Sequence, residues 1–236
     1  MDSANSQSEK IAFVQGLTLF SEVSAADCST IISGACEKRF WRGQTIFSAG
    51  DPVEQVFLLL SGCVKITQLG PRSKEVILRL SGIGEVVGAF GPWSNCKQCS
   101  TAQAVRPGTA LVWDVATFDR LLLRFASFRR NTVCALEERL EEMEQRFREL
   151  STENVESRLS SELIRLSKHF GCAICGHREI CLSRRELAQL TGATPSTVSR
   201  LLCRWQALGI VSIGREVVEV RDFTALARST TVDNGP

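Results

Sequence analysis

Five arginines and four hydroxyl side chains near the C-terminal end of this 236-residue chain have the types and spacing to bind a polyanion. Arg184 and Arg185 open one short segment, Arg200 and Arg204 lie in the next, and Arg215 follows. Thr194, Ser196, Thr197 and Ser199 stand between them. A guanidinium can engage two acceptors at once, either phosphate oxygens or the O6/N7 edge of guanine, and hydroxyls can serve either kind of contact. Residues 182–204 carry a net charge of +3 in a chain whose total is only +2. Any affinity for nucleic acid must come from this local patch, and it should weaken with salt.

The cysteines form the second chemical group. Cys172, Cys175 and Cys181 have the spacing Cys-x2-Cys-x5-Cys, and Cys96 and Cys99 make a further Cys-x2-Cys pair. Three thiolates need a fourth ligand to complete tetrahedral zinc or a [4Fe–4S] cluster, and Cys203, His169 and His177 are near in sequence. The same thiols are open to reversible oxidation, or to burial as small apolar side chains. The alternation Glu179-Ile180-Cys181-Leu182 suits burial.

Residues Met1 to Lys10 are polar, and no apolar run approaches the roughly 20 residues of a membrane span. A cytoplasmic chain with no membrane contact is expected, so the ten cysteines do not read as a disulfide framework. The chain lacks a phosphate-binding glycine loop with a following lysine, a GxSxG elbow and an HExxH motif. No catalytic residues and no enzyme are expected.

The elements that must position the arginines follow from local chemistry. Ser183 with Glu186 three residues on is a capping box, and Gly192 permits a positive-φ turn. Thr194 can cap a second helix with Pro195 in its first turn. Val198, Leu201, Leu202 and Trp205 recur at helical spacing and leave Ser196, Thr197, Ser199 and Arg200 on the other side. This is the layout of a helix-turn-helix. Residues 211–220 read as a hairpin turning near Gly214-Arg215, a wing with Arg215 at its tip.

Upstream, residues 37–115 are short apolar runs punctuated by glycine, which predicts an antiparallel roll or barrel in an α+β chain. A long helix follows in one or two pieces. Val133, Leu136, Leu140, Met143, Phe147 and Leu150 repeat at 3-4 spacing with charged flanks, the seam of a parallel homodimer. The expected organisation is a flexible N-terminus (1–14), a sensory roll (15–116), a dimerisation helix (117–150), a hinge (151–154), a winged helix-turn-helix (155–226) and a flexible tail (227–236).

Three stretches in this order carry a family likeness: Gly43-Gln44-Thr45-Ile46-Phe47-Ser48-Ala49-Gly50-Asp51, Val56-Phe57-Leu58-Leu59-Leu60-Ser61-Gly62-Cys63-Val64-Lys65 and Thr197-Val198-Ser199-Arg200-Leu201-Leu202. Over residues 15–225 the chain resembles the bacterial cyclic-AMP receptor protein and fumarate-nitrate reduction regulator (CRP/FNR) family of transcription factors. The resemblance implies a cyclic-nucleotide-binding-like double-stranded β-helix, a dimer on palindromic double-stranded DNA, and RNA polymerase as a partner if the protein activates. Its effector pocket would fall at Gly88, Ala89, Phe90, Cys99, Ser100 and Thr101. Ala89 stands where cAMP-binding members have a glutamate for the ribose, and Cys99 where they have an arginine for the phosphate. Cyclic AMP is therefore not the expected effector. A redox, gas or metal signal through cysteines takes its place, with an iron–sulfur cluster or zinc as cofactor candidates and haem behind them. The oxygen-sensing branch's N-terminal cluster site does not carry over, because no cysteine precedes Cys28. In the recognition helix the family's Arg-Glu-Arg reading set matches Pro195, Ser196 and Arg200, so only Arg200 is kept. The competing function is a roll-based interaction module whose C-terminal helices bind protein, not DNA.

Overall fold

The computed structural model describes residues 2–88, 96–170 and 179–228. The chain folds as two compact units, residues 1–68 with 78–142 and residues 69–77 with 143–236.

The first unit is built on two four-stranded antiparallel sheets. Strands β1 (Cys36–Phe40), β8 (Gly108–Asp114), β3 (Gln55–Leu59) and β6 (Val86–Val87) lie in the order β1-β8-β3-β6. Strands β2 (Thr45–Phe47), β7 (Thr101–Arg106), β4 (Cys63–Leu69) and β5 (Glu75–Ser81) lie in the order β2-β7-β4-β5. Successive strand residues point to opposite faces, and here both faces of the first sheet are covered. Phe57, Leu59, Ala110 and Val112 join Val64, Ile66, Ala102 and Ala104 in one core, while Val56, Leu58, Leu111 and Trp113 pack into another with Phe20, Ile31, Phe118 and Phe128. This double burial explains why residues 56–60 read as an unbroken apolar run. At the end of the roll, a Cβ on Gly62 would sit 2.7 Å from the Pro107 carbonyl oxygen, so the β3–β4 turn can cross the next connection only without a side chain.

Helices close the second core. Helix α1 (Asp2–Gln15) precedes α2 (Ala25–Ser33), and α3 (Val115–Arg124) is separated from α4 (Ala126–Thr152) by Phe125. The expectation of a flexible segment over residues 1–14 is corrected: it is helical from Asp2, because Val14 is fully buried and Ile11 packs against the same core. Residues 41–43 after β1 form a turn closed by Gln44 N–H to the Trp41 carbonyl (3.0 Å).

In the second unit α5 (Val155–Phe170) is capped by Asn154, whose Oδ1 accepts from Ser157 N–H at 2.9 Å. Helices α6 (Arg184–Thr191) and α7 (Pro195–Ala207) follow, then strands β10 (Val211–Gly214) and β11 (Val217–Val220). A short strand β9 (Glu179–Ile180) completes the order β10-β11-β9. Helix α8 (Phe223–Arg228) carries helical structure into the segment expected as a flexible tail, because Leu226 is fully buried and its carbonyl accepts from Ser160 Oγ (2.6 Å).

Candidate nucleic-acid interface

The helix pair is fixed by its own short-range chemistry. Ser183 and Glu186 form the reciprocal capping box, with Glu186 N–H to Ser183 Oγ at 3.2 Å and Ser183 N–H to Glu186 Oε2 at 2.9 Å. Gly192 ends α6 at φ 65°, and Ala193 N–H returns to the Ala188 carbonyl (3.0 Å). Thr194 caps α7, accepting from Thr197 N–H at 3.2 Å. Its hydroxyl also meets Ser196 Oγ and Thr197 Oγ1, each at 2.9 Å. A Cβ at Gly192 would lie 3.2 Å from Leu150 Cδ2, besides forcing a left-handed backbone on a chiral residue. Gly192→Ala should therefore cost about 1–2 kcal/mol, measured by urea unfolding, and a neutral result would mean the turn adopts another conformation.

Val198, Leu201, Leu202 and Trp205 bury one side of α7, which leaves Ser196, Arg200, Cys203 and Arg204 exposed and Thr197 and Ser199 half-buried. Arg184 and Arg185 are exposed in the first turn of α6. Arg215 is exposed at the wing tip, in a two-residue loop between the paired Gly214 and Val217. Among the described residues, none of Arg184, Arg185, Arg200 and Arg215 makes an ion pair. Arg204 differs, being paired with Glu156 of α5, which partly neutralises it. Thr194 likewise has its hydroxyl occupied as a cap.

Charge pairing also links the end of α4 to α5, a feature that sequence reasoning missed. Arg165 donates to both Glu149 oxygens (2.8 Å each) and to Glu162 (2.8 Å), while Arg146 reaches the other Glu162 oxygen at 2.9 Å. Glu149 and Glu162 are buried. Arg158 continues the tie, donating to the Glu153 carbonyl (2.6 Å) and to the Thr191 carbonyl (3.0 Å) at the end of α6. The segment expected as a hinge is thus bracketed by fixed contacts.

The seam residues stand apart from this packing. Val133, Leu136, Leu140, Met143, Phe147 and Leu150 are 37–73% exposed, whereas Phe128 and Thr132 on the same helix are buried. A helix packed wholly on its own unit would have covered that stripe.

The residues assigned to the effector pocket divide. Ala89 and Phe90 lie outside the described residues. Gly88 has φ 109°, and a Cβ there would stand 3.2 Å from the Gln55 carbonyl oxygen. Cys99 is exposed, Ser100 is buried and accepts from Gln68 Nε2 (3.2 Å), and the Thr101 hydroxyl accepts from Ala49 N–H (3.0 Å). No positive group stands at these positions, and each of the two hydroxyls accepts a hydrogen bond from the protein. A second unpredicted cluster lies nearby in the first unit. Arg139 donates to the Val86 carbonyl (2.7 Å), and Arg79 lies 3.4 Å from Glu85. Burial and the like charge of Arg79 push Arg139 down to about 10; burial, with Glu142's charge, pushes Glu85 up. The only sequence signal was an arginine inside the apolar run Val76-Ile77-Leu78-Arg79-Leu80.

Of the cysteine triad, Cys172 and Cys175 lie outside the described residues. Ile180 and Leu182 point inward, so the alternation leaves Cys181 half-buried on the opposite side. Among the described residues no three metal-ligating side chains converge, and no helix is long and apolar enough to cross a membrane.

A β-roll joined to a winged helix-turn-helix that carries four unpaired arginines defines a DNA-binding transcription regulator. Family models for the cyclic nucleotide-binding domain and the Crp-like helix-turn-helix domain match residues 37–125 and 157–229. The fumarate and nitrate reduction regulatory protein of Yersinia pestis is 28% identical over 196 residues, 81% of this chain and 77% of the relative. The CRP-like cAMP-activated global transcriptional regulator of Mycobacterium tuberculosis is 25% identical over 191 residues, 80% of this chain and 85% of that one. The solved structure of FixK2 from Bradyrhizobium japonicum matches with TM-score 0.73 at 20% identity, covering 82% of this chain and 96% of its own. The chain belongs to the CRP/FNR family of transcription regulators.

Proposed function

We propose that this regulator works as a homodimer on a palindromic operator, one winged helix-turn-helix to each half-site, with half-sites about one helical turn apart. The observation that carries this reading is Arg200, exposed on the solvent side of α7 with no ion pair among the described residues, alongside the exposed arginines of α6 and the wing. Helix α7 enters the major groove, where Arg200 takes the O6/N7 edge of a guanine. Arg184, Arg185 and Arg215 hold phosphates, Ser196, Thr197 and Ser199 contact bases or backbone, and Thr194 acts through the cap it provides. Arg204, bound to Glu156, makes at most a secondary phosphate contact. RNA polymerase is a partner if the protein activates.

The signal is an effector other than cAMP. The mycobacterial relative is described as cAMP-activated; here Cys99 and a hydroxyl already bonded to Gln68 occupy the positions for the phosphate. A redox, gas or metal signal through cysteines fits better, with Cys172, Cys175 and Cys181 the candidate ligands of zinc or an iron–sulfur cluster. Gel shifts on genomic fragments at two salt concentrations test the DNA reading, and protein capture without DNA binding would restore the interaction-module alternative. In such assays Arg200→Ala should weaken operator binding by about 1–3 kcal/mol, roughly 5- to 150-fold, and relax selectivity at one base pair. Equal weakening on every sequence would make Arg200 a phosphate contact and overturn its reading role.

A further inference from the structure

We propose that Cys96 and Cys99 form a redox-active dithiol whose closure to an intrachain disulfide unzips the loop leading into β7 and changes DNA affinity. The proposal rests on reading the N-terminal unit as the sensing part of a DNA-binding regulator, and it assigns that sensing to a particular pair of thiols. Eight cysteines lie among the described residues. Cys28 and Cys63 are buried, and Cys36, Cys134, Cys181 and Cys203 lie far apart in sequence. Only Cys96 and Cys99 share a loop, and both are exposed.

The backbone from Cys96 to Gln98 is held extended by pairing with the segment before β3. Lys97 pairs with Pro52 in an antiparallel bridge, with Val53 N–H on the Cys96 carbonyl (3.0 Å) and Gln98 N–H on the Asp51 carbonyl (2.8 Å). Gly50 N–H on the Gln98 carbonyl (2.8 Å) extends the zipper. Gln98 is buried between the exposed Lys97 and Cys99, and the chain bends at Cys99 and Ser100, where it leaves the zipper. Three extended steps of about 3.3 Å separate the two cysteine Cα atoms by roughly 10 Å, past the 4.4–6.8 Å that a disulfide spans. The disulfide and the zipper are therefore mutually exclusive, and closing one opens the other.

The chemistry balances with a low-molecular-weight disulfide as oxidant. One cysteine thiolate attacks a sulfur of the oxidant, releasing one small thiol and leaving a mixed disulfide. The second cysteine attacks the protein sulfur of that bond and releases the other small thiol. The pair gives up two electrons and two protons, and the oxidant becomes two thiols. A disulfide that forms at the expense of native hydrogen bonds is readily reduced, which suits a reversible signal and not a permanent staple. The zipper also reaches other parts of the roll. Gln68 holds the Cys99 carbonyl (3.0 Å) and the Ser100 hydroxyl, and the Thr101 hydroxyl at the start of β7 holds Ala49 N–H beside the turn.

The full-length protein, equilibrated with defined ratios of reduced and oxidised glutathione, alkylated and digested with trypsin, tests this directly. Trypsin cuts after Lys97, between the two cysteines, so a Cys96–Cys99 bond holds two fragments together. Linked fragments are expected in the wild type, are lost in Cys96→Ser and in Cys99→Ser, and persist when Cys172, Cys175 and Cys181 are all serine. Operator affinity of the wild type should change at least fivefold on oxidation, and that of Cys96→Ser should not. Full alkylation of both thiols under every ratio, or pairing of either with another cysteine, overturns the site. A disulfide without an affinity change, or an affinity change that survives Cys96→Ser, overturns its signalling role. Linked fragments in a protein that binds no DNA in either state would leave the dithiol standing and remove the regulator reading.

Discussion

Arg165→Ala should lower the stability of the DNA-binding unit by about 3–5 kcal/mol, as much as emptying a large core position. The reason is what the substitution leaves behind. Glu149 keeps 5% of its side-chain surface exposed and Glu162 2%, and among the described residues Arg165 is the only cation bonded to Glu149. Without it Glu149 retains only the Gln145 amide at 2.8 Å, and Glu162 retains Arg146. A buried carboxylate without its counter-charge must either stay ionised in a poor solvent or take up a proton, and both destabilise the fold. The control is to remove the charges together: Arg146→Met, Glu149→Leu, Glu162→Leu and Arg165→Met combined should recover most of the loss, because well-packed apolar groups replace buried ions at little cost. Urea unfolding followed by circular dichroism reads both effects. An Arg165→Ala loss below about 1 kcal/mol would mean that water reaches these carboxylates.

The same network fixes a pH dependence. Burial by itself would raise the Glu149 carboxyl, but hydrogen bonds from Arg165 and Gln145 and the charges of Arg165 and Arg146 outweigh it, so Glu149 titrates below the ordinary glutamate range. A depressed folded-state value contributes stability above the unfolded value of about 4.3 and loses it as pH falls through the folded one. In Arg165→Ala the acid end of the stability profile should therefore flatten, while the neutral region drops.

The parts of this fold that were legible in the sequence are those set within a few residues. Ser183 and Glu186, Gly192, and Thr194 with Pro195 each announce a helix end through contacts no more than five residues apart. The six-residue seam is legible because its period differs from that of the charges around it. Strand β7 is faint in the sequence because Ala102 and Ala104 are small apolar residues alternating with polar ones, and their contribution lies in letting two sheets approach. Helix α1 shows too few apolar residues to announce itself, and Val14 and Ile11 act only once the second core exists to receive them. The Glu149–Arg165–Glu162–Arg146 network was invisible for a different reason. Its partners are 16 residues apart across a helix break, and in a chain this rich in glutamate and arginine they read as solvated surface. Arg204 and Glu156 illustrate the same point across 48 residues, where the sequence shows a free cation and the fold supplies its partner.

Leu140→Glu combined with Phe147→Glu should convert the protein to a monomer and reduce operator affinity by about 100-fold or more. Both residues occupy one position of the heptad repeat on α4, at 58% and 73% exposure, so the change removes apolar area from the seam without opening either core of the isolated chain. Each large side chain contributes about 1.5–3 kcal/mol when fully covered, and a dimer would cover four of them at these two positions. The substitutions also place like charges against one another across the seam, which disfavours association further. The effect on DNA is larger than the loss of one protein contact. Two readers joined by a seam meet the second half-site at a high effective concentration, and separated readers do not, a difference of about 10²- to 10⁴-fold. Sedimentation should show the mass halved, circular dichroism should be nearly unchanged, and a single half-site should bind mutant and parent with similar weak affinity. That last comparison separates the seam from the reader: if half-site binding falls as far as binding to the full operator, the substitutions have damaged the helix-turn-helix, and the seam is not what joins two copies.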